Sequence, residues 1–173
     1  GLGEVPFRGI WPATLTTPGA VASWCAAHSA YGKLGMPRIL ASAMDYAQNG
    51  YPVSQRLAGW MQRSQADCSA QPGWSALFMP DGTLPLTGET RRNPALARTL
   101  QAVAEQGQAG FYQGETGQAL AALSKQQGGF FTLQDLERQQ AEWGEPIVGS
   151  YRDLTLYQTP APTQGFTVLQ MLK

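Results

Sequence analysis

The chain contains a single histidine, and His28 is therefore the first residue to consider as a catalytic base. Cys25 precedes it by three positions, so both side chains would lie on one helix face as a possible nucleophile–base pair. They belong to a stripe at three- and four-residue spacing that comprises Val21, Trp24, Cys25, His28 and Tyr31. This spacing predicts a helix with a packed face, and burial would raise the pKa of a thiol there. We interpret His28 as a packed or hydrogen-bonded core residue.

The other residues with reactive or metal-binding side chains form no complete site. Cys25 and Cys68 are the only cysteines and lack the CxxC spacing of a metal or redox motif. We expect two unpaired thiols, although an exported protein could pair them as a disulfide. No Gly-x-Ser-x-Gly elbow, paired metal ligands or Gly-rich phosphate loop occurs, and Gly128-Gly129 is interpreted as a helix stop. We expect no metal and no cofactor.

Two charged groups remain as candidates for binding. Arg91-Arg92 could hold a carboxylate through bidentate hydrogen bonds, but the neighbouring Asn93 is a predicted helix cap and favours a surface pair. The acidic residues near the predicted hairpin, which are Glu142, Glu145 and Asp153, are interpreted as solvated turn residues. From residue chemistry alone, no catalytic residue is assigned.

Composition excludes several classes of partner. Twelve basic and twelve acidic residues give a formal charge of zero, so no field would attract nucleic acid or an anionic membrane. Hydrophobic residues make up 43%, which argues against disorder, and no run approaches the ~20 apolar residues of a membrane span. Charged residues are 14%, against about 25% in typical soluble domains. A weakly charged surface favours a segment that is partly covered by another.

Capping residues and apolar periodicity predict a mostly helical chain. Predicted helices begin at Thr17 as cap with Pro18 in the first helical position, at Pro37, at Ser54, at Asn93 with Pro94, at Thr116, and at Thr132 with Asp135 in a capping-box pattern. Predicted stops are Gly32, Asn49-Gly50, Gly107 and Gly128-Gly129. Phe111-Tyr112 is expected to anchor a turn.

Two stretches depart from this helical pattern. Residues 67–92 are rich in Pro and Gly and predict a long irregular loop, which is often a contact surface. The β-rich sequences PIVGSY and LTLYQT flank Arg152-Asp153 and predict a hairpin, and an apolar run after Gly165 predicts a helix start. The predicted fold class is α+β in one segment, 1–173, with a helical part at 17–143 and the hairpin and following helix start at 146–173.

Five motifs occur in an order that is informative as a set. They are TPGAVASWCAAHSAYGKLG, ILASAMDYAQNGYPVSQRLA, FMPDGTLPLTGETRRNPALARTL, GFYQGETGQALAAL and GGFFTLQDLERQQAEWGEPIVGSYRDLTLYQTPAPTQG. Together, from Thr17 to Lys173, they resemble the large-subunit part of the γ-glutamyltransferase family, which are N-terminal-nucleophile hydrolases. The resemblance implies a part of an αββα fold.

The resemblance also implies a precursor that cleaves itself. The new N-terminal Thr of the small subunit would be the nucleophile, and its α-amine the base. In the family that Thr lies downstream of the matched segment and the carboxylate-binding arginine lies upstream, so no catalytic residue is transferred to this chain. Thr16-Thr17 matches a processing site only in residue type. We expect both chain ends to be cuts from a larger precursor and the chain alone to be inactive.

The implied partners are the remaining large subunit, the small catalytic subunit and a small acyl-amide substrate. Family members typically carry Pro-Pro-Pro-Ser-Ser-Gly-Gly where this chain has PAPTQGF, which is closer to the cephalosporin-acylase-like branch. The donor is therefore either γ-glutamyl or a related group such as glutaryl. The resemblance favours a periplasmic or secreted location and leaves a cytoplasmic one open. The alternative interpretation is a helical interaction module without catalysis.

Overall fold

The computed structural model describes residues 16–71 and 73–173. Within these ranges lie nine helices and four short strands: α1 Ala20–Tyr31, α2 Met36–Asn49, β1 Tyr51–Pro52, α3 Gln55–Cys68, α4 Trp74–Phe78, β2 Thr90–Arg91, α5 Pro94–Gln106, α6 Gln108–Tyr112, α7 Glu115–Gln126, α8 Leu133–Glu137, β3 Ile147–Tyr151, β4 Leu154–Gln158 and α9 Gly165–Met171. The mixture is α+β, as predicted. The chain divides into two compact units. The first unit ends at Gln140, and the second comprises Ala141–Lys173.

Local capping chemistry fixes the predicted start of three helices. The Ser54 hydroxyl accepts the Leu57 N–H at 3.2 Å, and the Asn93 side chain accepts the Leu96 N–H at 3.0 Å. Thr132 and Asp135 form a reciprocal capping box at the start of α8. Each side chain satisfies a backbone N–H that the helix itself leaves without an acceptor.

The start of α1 differs from the prediction. Thr17 does not cap the helix and Pro18 is not its first residue, because α1 begins at Ala20 after Gly19, which offers no capping side chain. The cap comes instead from Tyr112 of α6. Its hydroxyl accepts the Ala22 N–H at 3.1 Å and donates to the Pro18 carbonyl at 2.8 Å. A contact across 90 residues therefore determines where this helix begins.

The predicted long loop at 67–92 is wrong in extent. Helix α3 continues to Cys68, and α4 and β2 occupy part of the remainder. Phe78 of α4 packs against the rings of Trp60 and Trp74, at centroid distances of 6.3 and 5.4 Å. The adjoining core contains Val53, Ala58 and Met61, with Leu57, Phe78 and Leu84 packed against them. Burial of these apolar groups orders a stretch whose Pro and Gly content suggested a loop.

Backbone hydrogen bonds join the segment around β2 to the segment around β1. Strands β1 and β2 pair antiparallel, with Tyr51 opposite Arg91. On one side of this pair, the Val53 N–H donates to the Glu89 carbonyl, and the Gly88 N–H donates to the Val53 carbonyl, both at 2.8 Å. On the other side, the Asn93 N–H donates to the Ala47 carbonyl at 2.8 Å. The two arginines at 91 and 92 are thereby held beside the end of α2.

The helices α5, α6 and α7 approach one another closely at two glycines. A Cβ at Gly110 would meet the Ala102 carbonyl, and one at Gly117 would meet the Tyr112 carbonyl. Gly107 ends α5 as predicted, but α6 begins directly after it. The prediction that Phe111-Tyr112 anchors a turn is right only in part: Tyr112 is 2% exposed, but both residues belong to helix α6.

The second unit contains the predicted hairpin and helix. Strands β3 and β4 pair antiparallel from Ile147 opposite Gln158 to Tyr151 opposite Leu154. Arg152 occupies the turn with φ +56°, a left-handed conformation that non-glycine residues seldom adopt. Helix α9 begins at Gly165 and packs on the hairpin near Gly149, where a Cβ would lie 2.9 Å from the Leu169 side chain.

Candidate functional site

His28 lies near the end of α1 and binds the loop that leads to α2. The residue is half-buried, and its Nε2 lies 2.7 Å from the Leu34 carbonyl, so that nitrogen carries the proton and donates it. The predicted packed stripe is wrong for its outer members, because Trp24 is 48% and Tyr31 75% exposed. The expected hydrogen-bonded role of His28 is confirmed.

A cavity of about 430 Å³ opens beside His28, between the end of α1 and the start of α2. Its lining consists of Trp24, Ala27, His28, Tyr31, Gly32, Met36, Ile39 and Leu40. Among the described residues of this lining there is no serine, threonine, cysteine or carboxylate, so none of these side chains accompanies His28 there. The arrangement suits contact with an apolar group and provides no catalytic pair.

The two cysteines are both free and half-buried. Burial raises the pKa of the Cys25 thiol, and a hydrogen bond with the backbone of Gln108 lowers it by less. Cys25 thus faces α6, whereas His28 faces Leu34. A thiol with a raised pKa and no histidine base is a weak nucleophile at neutral pH, so the two residues do not act as a pair.

The arginine pair is divided by the fold. Arg92 is exposed, and its Nε donates to the Asn49 carbonyl at 3.0 Å, which satisfies the end of α2. Arg91 is not a surface residue, since its side chain is only 20% exposed. Its Nη2 lies 3.6 Å from the Glu89 carboxylate, and its Nε is enclosed without an acceptor. The surface-pair interpretation is therefore correct for Arg92 and wrong for Arg91.

Both arginines line a second cavity, of about 580 Å³, between α4 and the start of α5. Its lining consists of Ala76, Leu77, Pro80, Thr90, Arg91, Arg92, Asn93, Pro94 and Ala95. Among the described residues of this lining are two positive charges and no acidic side chain, so the cavity suits an anionic group. The sequence indicated the arginines but gave no sign that α4 would form the facing wall, because α4 was predicted as loop.

The remaining candidates occupy ordinary structural positions. Glu142, Glu145 and Asp153 are all exposed, as expected of solvated residues. Gly128 adopts φ +71° just after α7, as expected of a helix stop. Among residues 16–71 and 73–173, no three His, Cys, Asp or Glu side chains converge as a metal site. Within the same ranges, no helix combines the length and apolar character needed to cross a membrane.

Comparison with known proteins places this arrangement in a family. The family described as Gamma-glutamyltranspeptidase matches residues 4–173. The glutathione hydrolase-like YwrD proenzyme of Bacillus subtilis is 34% identical over 99% of this chain and 33% of its own length. The chain thus spans about a third of that relative.

Two solved structures have the same arrangement of elements. The crystal structure of the Bacillus anthracis transpeptidase enzyme CapD matches 97% of this chain and 56% of its own, with TM-score 0.84 and 32% identity. The cephalosporin acylase from Bacillus halodurans matches 91% of this chain and 30% of its own, with TM-score 0.81 and 34% identity. The resemblance to the family and to its acylase branch is confirmed.

Proposed function

Because this chain belongs to the gamma-glutamyltranspeptidase family, we propose that it is one segment of a longer enzyme precursor that cleaves γ-glutamyl or related acyl amides. The acyl group passes to water or to an amino acceptor. The observation that carries the proposal is the family match from residue 4 to residue 173. The partners are then the rest of the large subunit and the small catalytic subunit of the same precursor.

The proposed chemistry uses an N-terminal threonine outside this chain. Self-cleavage of the precursor frees the α-amine of that threonine, whose pKa of about 8 allows it to take the proton of its own hydroxyl. The hydroxyl oxygen attacks the amide carbonyl, the amine leaves with a proton, and an acyl-enzyme remains. Water or an amine then attacks the ester carbon, and backbone N–H groups stabilise the oxyanion in both steps.

This chain supplies support rather than reacting groups in the proposal. The helices of the first unit and the hairpin of the second act as one large-subunit segment, 1–173, beside a layered αββα core formed by sequence outside it. What supports this is the chemistry of the described side chains, since Cys25 and His28 face different neighbours. No metal and no cofactor takes part.

The donor is proposed as either γ-glutamyl or glutaryl. The names of the relatives point both ways, since one is glutathione hydrolase-like and another is a cephalosporin acylase. The two donors differ only by the α-amino group, so γ-glutamyl anilide and glutaryl anilide form a matched pair of substrates. Faster turnover of γ-glutamyl anilide would assign a γ-glutamyl donor, and faster turnover of glutaryl anilide would assign the acylase branch of the family.

The test is expression of the natural longer protein and measurement of its intact mass. We expect two subunits, the smaller beginning with Thr, and turnover of one of the two anilides. Replacement of that Thr by Ala should leave a single inactive chain. Turnover by the 173-residue chain alone would refute the supporting role, and an uncleaved, inactive longer protein would refute the enzyme.

One observation is shared by the proposed enzyme segment and by the alternative of a non-catalytic interaction module. Large apolar side chains are exposed around the first cavity, with Leu34 60% and Ile39 49% accessible in addition to Trp24 and Tyr31. Such a patch suits a protein contact, whether with the rest of a precursor or with another protein. The natural reading frame distinguishes the two, because the enzyme requires it to continue past Lys173 to a Thr at the start of a strand.

A further inference from the structure

We propose that the cavity between α4 and the start of α5 is a carboxylate-binding site in which Arg91 is the principal ligand. The site is separate from the apolar cavity beside His28. It is independent of the proposed enzyme activity, since it rests only on the groups that line the cavity.

The first argument is the unmet hydrogen-bonding capacity of Arg91. A guanidinium has five N–H donors, and the described contacts engage one nitrogen, Nη2, with Glu89 at 3.6 Å. That distance is long for a charged hydrogen bond, and Glu89 is 46% exposed. The enclosed Nε has no acceptor, which is unfavourable for a buried donor. A carboxylate with two oxygens matches this shortfall better than any neutral group, because it can accept from two guanidinium nitrogens at once.

The second argument is the rigidity of the surrounding backbone. Arg91 lies in β2, which is hydrogen-bonded to β1, and the flanking residues are bonded to Val53 and Ala47. Arg92 is further fixed by its bond to the Asn49 carbonyl. A site whose ligands are held before binding loses less conformational entropy when the anion arrives.

The third argument is that the charged side chains in the described lining of the cavity are positive. Arg92 retains its Nη groups for the cavity, and Thr90 and Asn93 add polar groups to the same lining. The lining has no carboxylate to compete with the ligand, and the nearest acid, Glu89, is held only loosely. The Nε of Arg91 is enclosed, so in the proposal this nitrogen reaches the carboxylate only after the side chain rotates.

The carboxylate has two possible sources with the same chemistry. One is a small carboxylic acid from solution, and the other is an Asp or Glu side chain from sequence outside this chain, which spans about a third of its relative. The volume of about 580 Å³ admits either.

The test uses glutarate as the probe, with the neutral glutaramide as its control. Binding to the 173-residue chain is measured by calorimetry and by the ¹⁵N–¹H signals of the arginine Nε groups. We expect glutarate, and not glutaramide, to bind and to shift the Arg91 signal. Arg91→Gln should weaken binding at least tenfold, about 1.4 kcal/mol. The matched control is Arg38→Gln, an exposed arginine of α2, which should leave binding unchanged.

Arg91→Lys serves as a second variant if Arg91→Gln does not fold, because it keeps the charge and loses only the planar fork. It should still weaken glutarate binding several-fold. The source is then determined with the longer natural protein: glutarate binding to both proteins indicates a free acid, whereas binding to the 173-residue chain alone indicates that a side chain of the longer protein fills the cavity. No glutarate binding to the chain, or binding unaffected by both Arg91 variants, would overturn the proposal.

Discussion

Removing the Tyr112 hydroxyl should destabilise the first unit by about 2 kcal/mol, because that single oxygen closes the start of α1. The hydroxyl makes two hydrogen bonds, with the Ala22 N–H and the Pro18 carbonyl. A buried hydrogen bond contributes about 0.5–1.5 kcal/mol net, and an orphaned buried donor costs about 1–3 kcal/mol. Ala22 is 1% exposed, so water cannot replace the lost acceptor. Two such bonds give the expected value.

Tyr112→Phe isolates the hydroxyl because the ring contacts remain. The edge-to-face contact with Phe111, at a centroid distance of 4.9 Å, needs no oxygen. Urea unfolding followed by far-UV circular dichroism measures the change in unfolding free energy, and the slope with urea should stay the same. The midpoint of thermal unfolding should fall by about 4–8 °C. The control is Tyr46→Phe, whose side chain is 57% exposed and which should change stability little.

The pH dependence provides a second test of the same reasoning. Burial raises the pKa of the Tyr112 hydroxyl, with a lesser opposing effect of the Ala22 hydrogen bond and a further increase from Cys25. A raised folded-state pKa means that the contribution is fully present below the unfolded value, about 10, and is lost as pH rises through the folded value. The difference between wild type and Tyr112→Phe should therefore be constant below about pH 10 and shrink above it. A loss below about 0.5 kcal/mol at pH 7 would refute the capping role.

Three further predictions follow from the described contacts. Gly50→Ala should destabilise the chain by about 1–3 kcal/mol in urea unfolding, since φ at Gly50 is +111° and a Cβ there would meet the Thr90 side chain. Gly59→Ala should instead stabilise the chain by about 0.4–1 kcal/mol, because Gly59 lies within helix α3 and alanine restricts the unfolded chain more than glycine does. Thr132→Ala should cost about 1 kcal/mol by the same assay. Hydrogen bonds from Thr132 lower the pKa of Asp135, so the thermal midpoint advantage of wild type over Asp135→Asn should be present above about pH 4 and be lost as pH falls through the folded value. An advantage that does not decrease at any pH below about 4 would contradict the capping box.

The parts of the fold that sequence predicted are those governed by neighbouring residues. Ser54, Asn93 and Thr132 each cap a helix with a side-chain oxygen that accepts the backbone N–H three residues later, so the signal lies in a short stretch. The hairpin around Arg152-Asp153 is similarly local. The start of α1 could not be read in this way, because its cap is Tyr112, far away in sequence.

In the candidate site too, the features set by neighbouring residues were predicted, and those set by distant residues were not. The sequence offered Arg91-Arg92 as possible carboxylate ligands but favoured a surface pair, because the enclosure of Arg91 depends on the pairing of β1 with β2, which joins distant segments. His28 was identified as hydrogen-bonded, while the exposure of Trp24 and Tyr31 was not foreseen. Apolar periodicity predicts a helix face, and it does not reveal whether this chain contributes the element that covers that face.

Four polar side chains of the helical unit bind backbone groups at or near helix ends, and Arg91 does not belong to this set. Tyr112 closes the start of α1, Arg92 the end of α2 and Asp135 the start of α8, while His28 binds the turn between α1 and α2. Each of these side chains satisfies a backbone carbonyl or N–H at the end of a helix or in the adjoining loop, which explains its position by structure alone. Arg91 lies beside a cavity with donors that no backbone carbonyl engages. Arg91 is therefore the side chain of this unit that we propose for binding an anion.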